Sequence, residues 1–221
     1  MKRLGLLTIV LITLAQTSKA QVRFGPEAGM NMANMTLQGT SNTGSSSAVY
    51  GARVGAVVDF HLAGTVNLQV GALFTMKGFS QSITINGTTI TQSINTNYVD
   101  VPINVIYKPT GHGLFIGAGP YVGYCLSGNE TPAGGSAIAL SIGSDKTKNT
   151  WTALDFGANG MIGYEFNNGL FFRANYAYGF ANCIPGGDAN NGAYNSGFSF
   201  TAGWLFGGGS SWGKSTGGRF W

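Results

Sequence analysis

The chain has 221 residues, of which 43% are hydrophobic, 12% aromatic and only 9% charged, with 36 glycines. So many aromatics exclude a disordered polar chain. The formal charge of +4 does not mark a nucleic-acid binder, because Lys2, Arg3, Lys19, Lys214 and Arg219 lie at the two ends and leave seven basic residues against eight acids.

Residues 1–20 read as a cleaved secretory signal peptide: Lys2 and Arg3 make a basic start, residues 4–14 an apolar core, and Ser18-Lys19-Ala20 a small-x-small cleavage site. The expected domain plan is a signal peptide over 1–20, a barrel over 21–206 and a Gly/Ser-rich flexible tail over 207–221. The apolar core at the start is too short to span a bilayer, and no later run has the length of a transmembrane helix. Membrane insertion must therefore come from strands.

Period-2 alternation predicts eight strands, over 22–33, 49–63, 66–79, 94–108, 114–126, 151–166, 170–180 and 197–206. In 49–63, Tyr50, Ala52, Val54, Ala56, Val58, Phe60 and Leu62 share one face, while Arg53, Asp59 and His61 share the other. Long connections (34–48, 80–93, 127–150, 181–196) alternate with short ones at Gly64, 110–113 and 167–169. The expected fold is all-β: an eight-stranded antiparallel up-and-down transmembrane barrel with short periplasmic turns and long extracellular loops.

Turn chemistry sets the register. Asn86-Gly87 suits a two-residue hairpin, since both positions need positive φ, and it pairs Gln69 with Asn104 and Gly71 with Pro102. A three-residue hairpin at 167–169 sets Glu165 diagonal to Arg173. Pro26, Pro102 and Pro120 each remove a ladder donor, and a bulge at each would accommodate them.

One face carries Arg23, Arg53, Lys77, Lys108 and Arg173 against Glu27, Asp59, Asp100, Asp155 and Glu165. In a barrel of eight strands side chains just fill the interior. Charges there must be paired, which predicts a self-neutralising plug. The other face is apolar, as in Leu68, Val70, Ala72, Phe74 and Val99, Val101, Ile103, Val105. Aromatics gather at the strand ends. Tyr50, Tyr98 (inward by parity), Tyr124, Trp151, Tyr176, Tyr178 and Phe180 form one set, and Phe24, Phe60, Tyr107, Tyr164, Phe166, Phe172, Trp204 and Phe206 the other. Those facing outward match interfacial girdles. Near Gly78 the polarity reverses: Phe79, Ile83, Ile90 and Ile94 share an apolar side around Asn86-Gly87. This predicts a ribbon above the bilayer that either caps the barrel mouth or contacts a partner.

The sequence from Tyr98 to Lys108, with Asp100, Val101, Pro102 and Lys108, resembles the PorT-like outer-membrane β-barrel family of Bacteroidetes-type bacteria. Phe115-Ile-Gly-Ala-Gly-Pro-Tyr-Val-Gly-Tyr124 and Leu154-Asp-Phe-Gly157 carry the same resemblance. The last strand, Phe198 to Phe206, is similar to the family's aromatic-ended assembly signal. The resemblance implies a bacterial outer-membrane location, outer-membrane lipid as the surroundings and barrel-assembly machinery during biogenesis. The family takes its name from a secretion-system component, which implies envelope or secretion-system proteins as partners.

No catalytic set stands out. The only histidines are His61, inward near the periplasmic end, and His112, in a turn. Gly117-Ala-Gly119 lies within a strand, where close packing against interior side chains is expected in place of a phosphate loop. No cofactor, metal or nucleic acid is expected. Cys125 and Cys183 permit one disulfide at most, and the sequence leaves its formation open. Two functions remain: a structural or interaction protein of the envelope, or a narrow passive porin-like channel for small solutes.

Overall fold

A computed structural model describes residues 22–38, 45–85, 88–188 and 192–207. The signal-peptide reading, Asn86, Gly87 and the tail from 208 onward fall outside the described residues. The described residues form ten strands: β1 (Val22–Gln38), β2 (Ser45–Ala63), β3 (Val66–Ile85), β4 (Thr88–Tyr107), β5 (Gly113–Thr131), β6 (Ile138–Ala139), β7 (Leu154–Glu165), β8 (Leu170–Gly179), β9 (Gly192–Trp204) and β10 (Phe206–Gly207). Eight are long, and each pairs antiparallel with its neighbour. Pairing of β1 with β9, from Glu27↔Gly203 to Gln38↔Gly192, closes the sheet into a ring. β10 continues β9 beyond Leu205 and pairs Phe206 with Phe24. Among the described residues no helix is long and apolar enough to cross a membrane.

The hairpins follow their turn residues. Gln69 faces Asn104, Phe79 faces Ile94 and Ile83 faces Ile90. At 167–169 the amide of Phe166 donates to Leu170 O at 2.8 Å and that of Gly169 to Phe166 O at 2.9 Å. Gly169 has φ +87°, a conformation that a side chain would strain.

Several strands outrun their sequence-predicted ends. β3 continues from Phe79 to Ile85 and β4 begins at Thr88, so residues taken as loop are ladder. Apolar-out alternation stops near Gly78, but the hydroxyl-bearing and β-branched residues beyond it still suit a pleated ladder. Gly78 itself has φ +145°, and a Cβ there would lie 2.0 Å from Ile94 O.

The strand prolines bring no bulges. Pro26 stays in register with Ala56, Pro102 with Tyr121 and Pro120 with Ala158. Each is accommodated by missing pairs: β1 with β9 and β10 between Phe24 and Glu27, β3 with β4 between Val70 and Leu73, and β4 with β5 between Pro102 and Val105. Omitting a bond satisfies a residue without an N–H and needs no extra residue. Register shifts lie instead between Ala48 and Arg53, His61 and Ala63, and Asn97 and Tyr98.

Inward residues are buried and outward apolar ones exposed, among them Val54, Ile103, Ile116, Phe156 and Phe172. Two apolar clusters fill the interior. The lower one, toward the short turns, joins Val57, Ile106, Phe115, Met161, Phe171 and Leu205. The upper one joins Met35, Phe79, Tyr98, Cys125, Trp151, Cys183 and Ala193. Trp151 belongs to this cluster and not to a girdle: it is 3% exposed, and its Nε1 donates to Tyr98 Oη at 2.8 Å.

Candidate functional site in the barrel lumen

All ten sequence-selected charges face the lumen. Arg23 is half-buried and the other nine are buried. Alternation puts them on one face, and ring closure brings the faces of distant strands within reach of each other. Toward the short turns, Arg23 contacts Asp59 at 2.6 Å and also Glu165, while Lys108 contacts both acids at 2.8 Å. The four form a closed square that braces β1, β2, β7 and the end of β4. Asn67 Nδ2 adds hydrogen bonds to both oxygens of Asp59, at 3.0 and 3.1 Å.

Above the square, Arg173 binds Glu27 through two nitrogens, with Nε to Oε1 at 3.0 Å, and also donates to Gln69. A two-pronged guanidinium–carboxylate contact is the stronger geometry for a buried pair. Glu165 and Arg173 are diagonal neighbours, since Gly163 faces Arg173, but each takes its partner across the lumen.

The uppermost charges are Arg53, Lys77, Asp100 and Asp155. Lys77 Nζ lies 2.9 Å from Asp100 and 3.0 Å from Asp155, and Arg53 lies 3.6 Å from Asp100. Asp155 Oδ2 also accepts from Asn195 Nδ2 at 2.9 Å and Tyr121 Oη at 3.2 Å. Among the described residues nothing donates a hydrogen bond to its Oδ1. Lys77 sits over the rings of Tyr98 and Tyr121, at 4.6 and 4.8 Å from their centroids. Such a stack stabilises a buried ammonium. Asn31, Arg53, Lys77, Tyr121, Asn175 and Asn195 help line a cavity of about 20 Å³ here.

Sequence reasoning passed over most of the neutral members: Asn67, Thr75, Asn159 and Asn195 are buried beside the charges, as is Tyr121. The signal that finds them is the same inward parity. Asn159 Nδ2 bridges to Asn104 Oδ1 at 2.9 Å and to Gly119 O at 2.8 Å. A Cβ on Gly117 would lie 2.5 Å from Ile106 Cδ1, so this glycine makes room for the interior packing.

The hairpin residues divide. Phe79 is buried in the upper cluster and Ile94 packs against it, so the ribbon's base helps cap the mouth. Ile90 is exposed, and Ile83 is placed by its backbone pairing alone. Asn86 and Gly87 lie outside the described residues.

Both cysteines are free and buried. Cys125 N donates to Ala153 O and Cys183 O accepts from Thr152 N, both at 2.8 Å. The 152–153 segment therefore runs between them. Burial pushes the Cys183 thiol up to about 12. His61 Nδ1 lies 3.3 Å from Asn67 Oδ1, and His112 sits in the turn before β5. Among the described residues no group of His, Cys, Asp and Glu has the arrangement of a metal site.

No curated protein matches the chain. Among solved structures it is similar to the attachment invasion locus protein Ail of Yersinia pestis, with 10% identity, 84% of this chain and 99% of that one covered, and a TM-score of 0.43. Neisserial surface protein A gives 11% identity, 83% and 97% coverage and a TM-score of 0.47. OprG of Pseudomonas aeruginosa gives 12% identity, 85% and 95% coverage and a TM-score of 0.38. The family model described as "Outer membrane protein beta-barrel domain" matches residues 14–184. With most of its length matched and its strands closed into a ring around a charged lumen, the protein belongs to the outer membrane protein beta-barrel domain family and resides in the bacterial outer membrane.

Proposed function

We propose that this protein is a closed, non-conducting barrel with a structural or interaction role at the cell envelope, in a secretion or envelope assembly of the kind that the PorT-like resemblance implies. One observation carries the reading: three tiers of ion pairs with no net charge cross the lumen, with one apolar cluster packed among the lower tiers and another above them all. A solute would have to separate buried pairs, and breaking one such pair costs about 3–5 kcal/mol. The extracellular strand ends are then what the protein offers to partners, with the exposed Ile90 near the ribbon tip as one contact. The reading assigns no catalysis: His61 Nδ1 lies 3.3 Å from the Asn67 amide, and the Thr110 hydroxyl meets the backbone carbonyl of His112 and not its ring.

Recording from purified protein in planar lipid bilayers is the test. No stable conductance steps are expected. Sustained open channels from folded wild-type protein would overturn the proposal in favour of a narrow passive porin-like channel.

A further inference from the structure

The lipid-facing wall is not uniformly bulky. Its register sets small side chains obliquely across five strands. Pro120 faces Ala158 and Ala118 faces Gly160. Ala174 is one diagonal step below Gly160, and Ala202, which faces Ala28, is one step below Ala174. Larger side chains flank this track on both sides. Where it crosses β8, β9 and β1 it deepens into a recess of about 570 Å³, with Ala28, Ala174 and Ala202 on its floor and Ile162, Phe172 and Phe200 among its walls. Ala174 and Ala202 point outward but are only half exposed, because the neighbouring rings stand above them.

We propose that this recess seats one acyl chain of a phospholipid from the periplasmic leaflet. The recess is continuous with the wall that faces membrane hydrocarbon, so its occupant is apolar. Its lower end reaches Tyr164 and Phe172, which with Phe166 form an aromatic cluster with centroids 4.9 and 6.2 Å apart. Such rings mark the level of the headgroups, and a chain anchored there rises along the recess toward Phe200. Hydrophobicity does not favour one apolar occupant over another inside a bilayer. Contact does, because a gap beside the floor forfeits dispersion on one side. The projecting Phe172 and Phe200 hold a second barrel's broad wall off the alanine floor, whereas a flexible chain follows it.

Native mass spectrometry of the full chain, released from nanodiscs of phosphatidylcholine doped with palmitoyl-oleoyl phosphatidylethanolamine, tests this. Wild type is expected to keep one phospholipid, of either headgroup, at collision energies that strip the rest. Ala174→Leu with Ala202→Leu fills the recess and is expected to cut that retention at least fivefold, while Val105→Phe on β4 leaves it unchanged. Heat-modifiable mobility of each variant checks folding, and Ala28→Val alone provides the same reading if the double variant fails to fold. Equal retention by wild type and the filled variant would overturn the proposal. So would a wild-type dimer that the filled variant abolishes, which would make a second copy the occupant.

Discussion

Two groups of four charges occupy the lumen, each with two cations and two acids, and they are wired differently. In the lower square Arg23 and Lys108 each touch both Asp59 and Glu165, so every charge keeps a partner when another is lost. In the upper group Lys77 alone reaches both acids, Arg53 touches only Asp100, and Asp155 leans on Tyr121 and Asn195. The same charges thus give a redundant brace at one end and a single-keystone arrangement at the other. Burial does not set the difference, since the half-buried Arg23 keeps two acids and the buried Arg53 only one.

The sharpest way to break this comparison is to remove one cation from each group. Lys77→Met leaves Asp155 with no cation and is expected to cost about 3–5 kcal/mol. Lys108→Met leaves Arg23 bridging both acids and is expected to cost about 2 kcal/mol, the loss of charged hydrogen bonds. Urea unfolding in detergent reads both, and equal midpoints would remove the distinction. Asp155→Leu should likewise shift the midpoint by about 3 kcal/mol. Its outward neighbour Leu154, replaced by alanine, should cost about 0.5 kcal/mol because lipid takes over its contacts; a larger loss from Leu154→Ala would mean that the faces are misassigned. Asn195→Ala removes one donor to Asp155 and should cost about 1–2 kcal/mol. An unchanged midpoint would show that Lys77 holds Asp155 without help.

The smallest effect lies outside the lumen. Asp145, in the long loop before β7, accepts from the hydroxyl and amide of Thr147, which hold its carboxyl below the usual range. A depressed acid contributes stability above its unfolded pKa and loses it as pH falls through the folded one. For this exposed side chain the effect is confined to the loop. Thr147→Val should move the Asp145 titration up toward the ordinary carboxylate range in a carboxyl NMR experiment, with no change in barrel unfolding. An unmoved titration would assign the shift to the backbone amide.

Alternation made the barrel legible, because each strand has to satisfy lipid on one side and a crowded interior on the other. It placed all ten charges without any knowledge of neighbours. Partner choice was hidden: local register pointed Glu165 toward Arg173, but the lumen is narrow enough for contacts across it, and those depend on all strands together. Trp151 looked like a girdle residue because it sits near a strand end, yet there the chain has already turned over the mouth, carrying the indole to Tyr98. The shifts at Ala48–Arg53 and Asn97–Tyr98 are not placed at the prolines, the one local cue for irregularity that the strands offered.

Closure of β1 on β9 has a consequence for the order of assembly. Through Lys108 the lumen face holds four cations and three acids, and the remainder supplies Asp155, Glu165 and Arg173. The first portion is therefore one positive charge in excess and the second one negative. Arg23 waits for Glu165, 142 residues away, and Glu27 for Arg173, 146 residues away. The count alone balances after Asp59 and again after Asp100, but the Glu27–Arg173 pair forms only when β8 is in place. Long-range pairing of this kind is slow, and here it makes the last seam the step at which the whole interior becomes compatible with the bilayer.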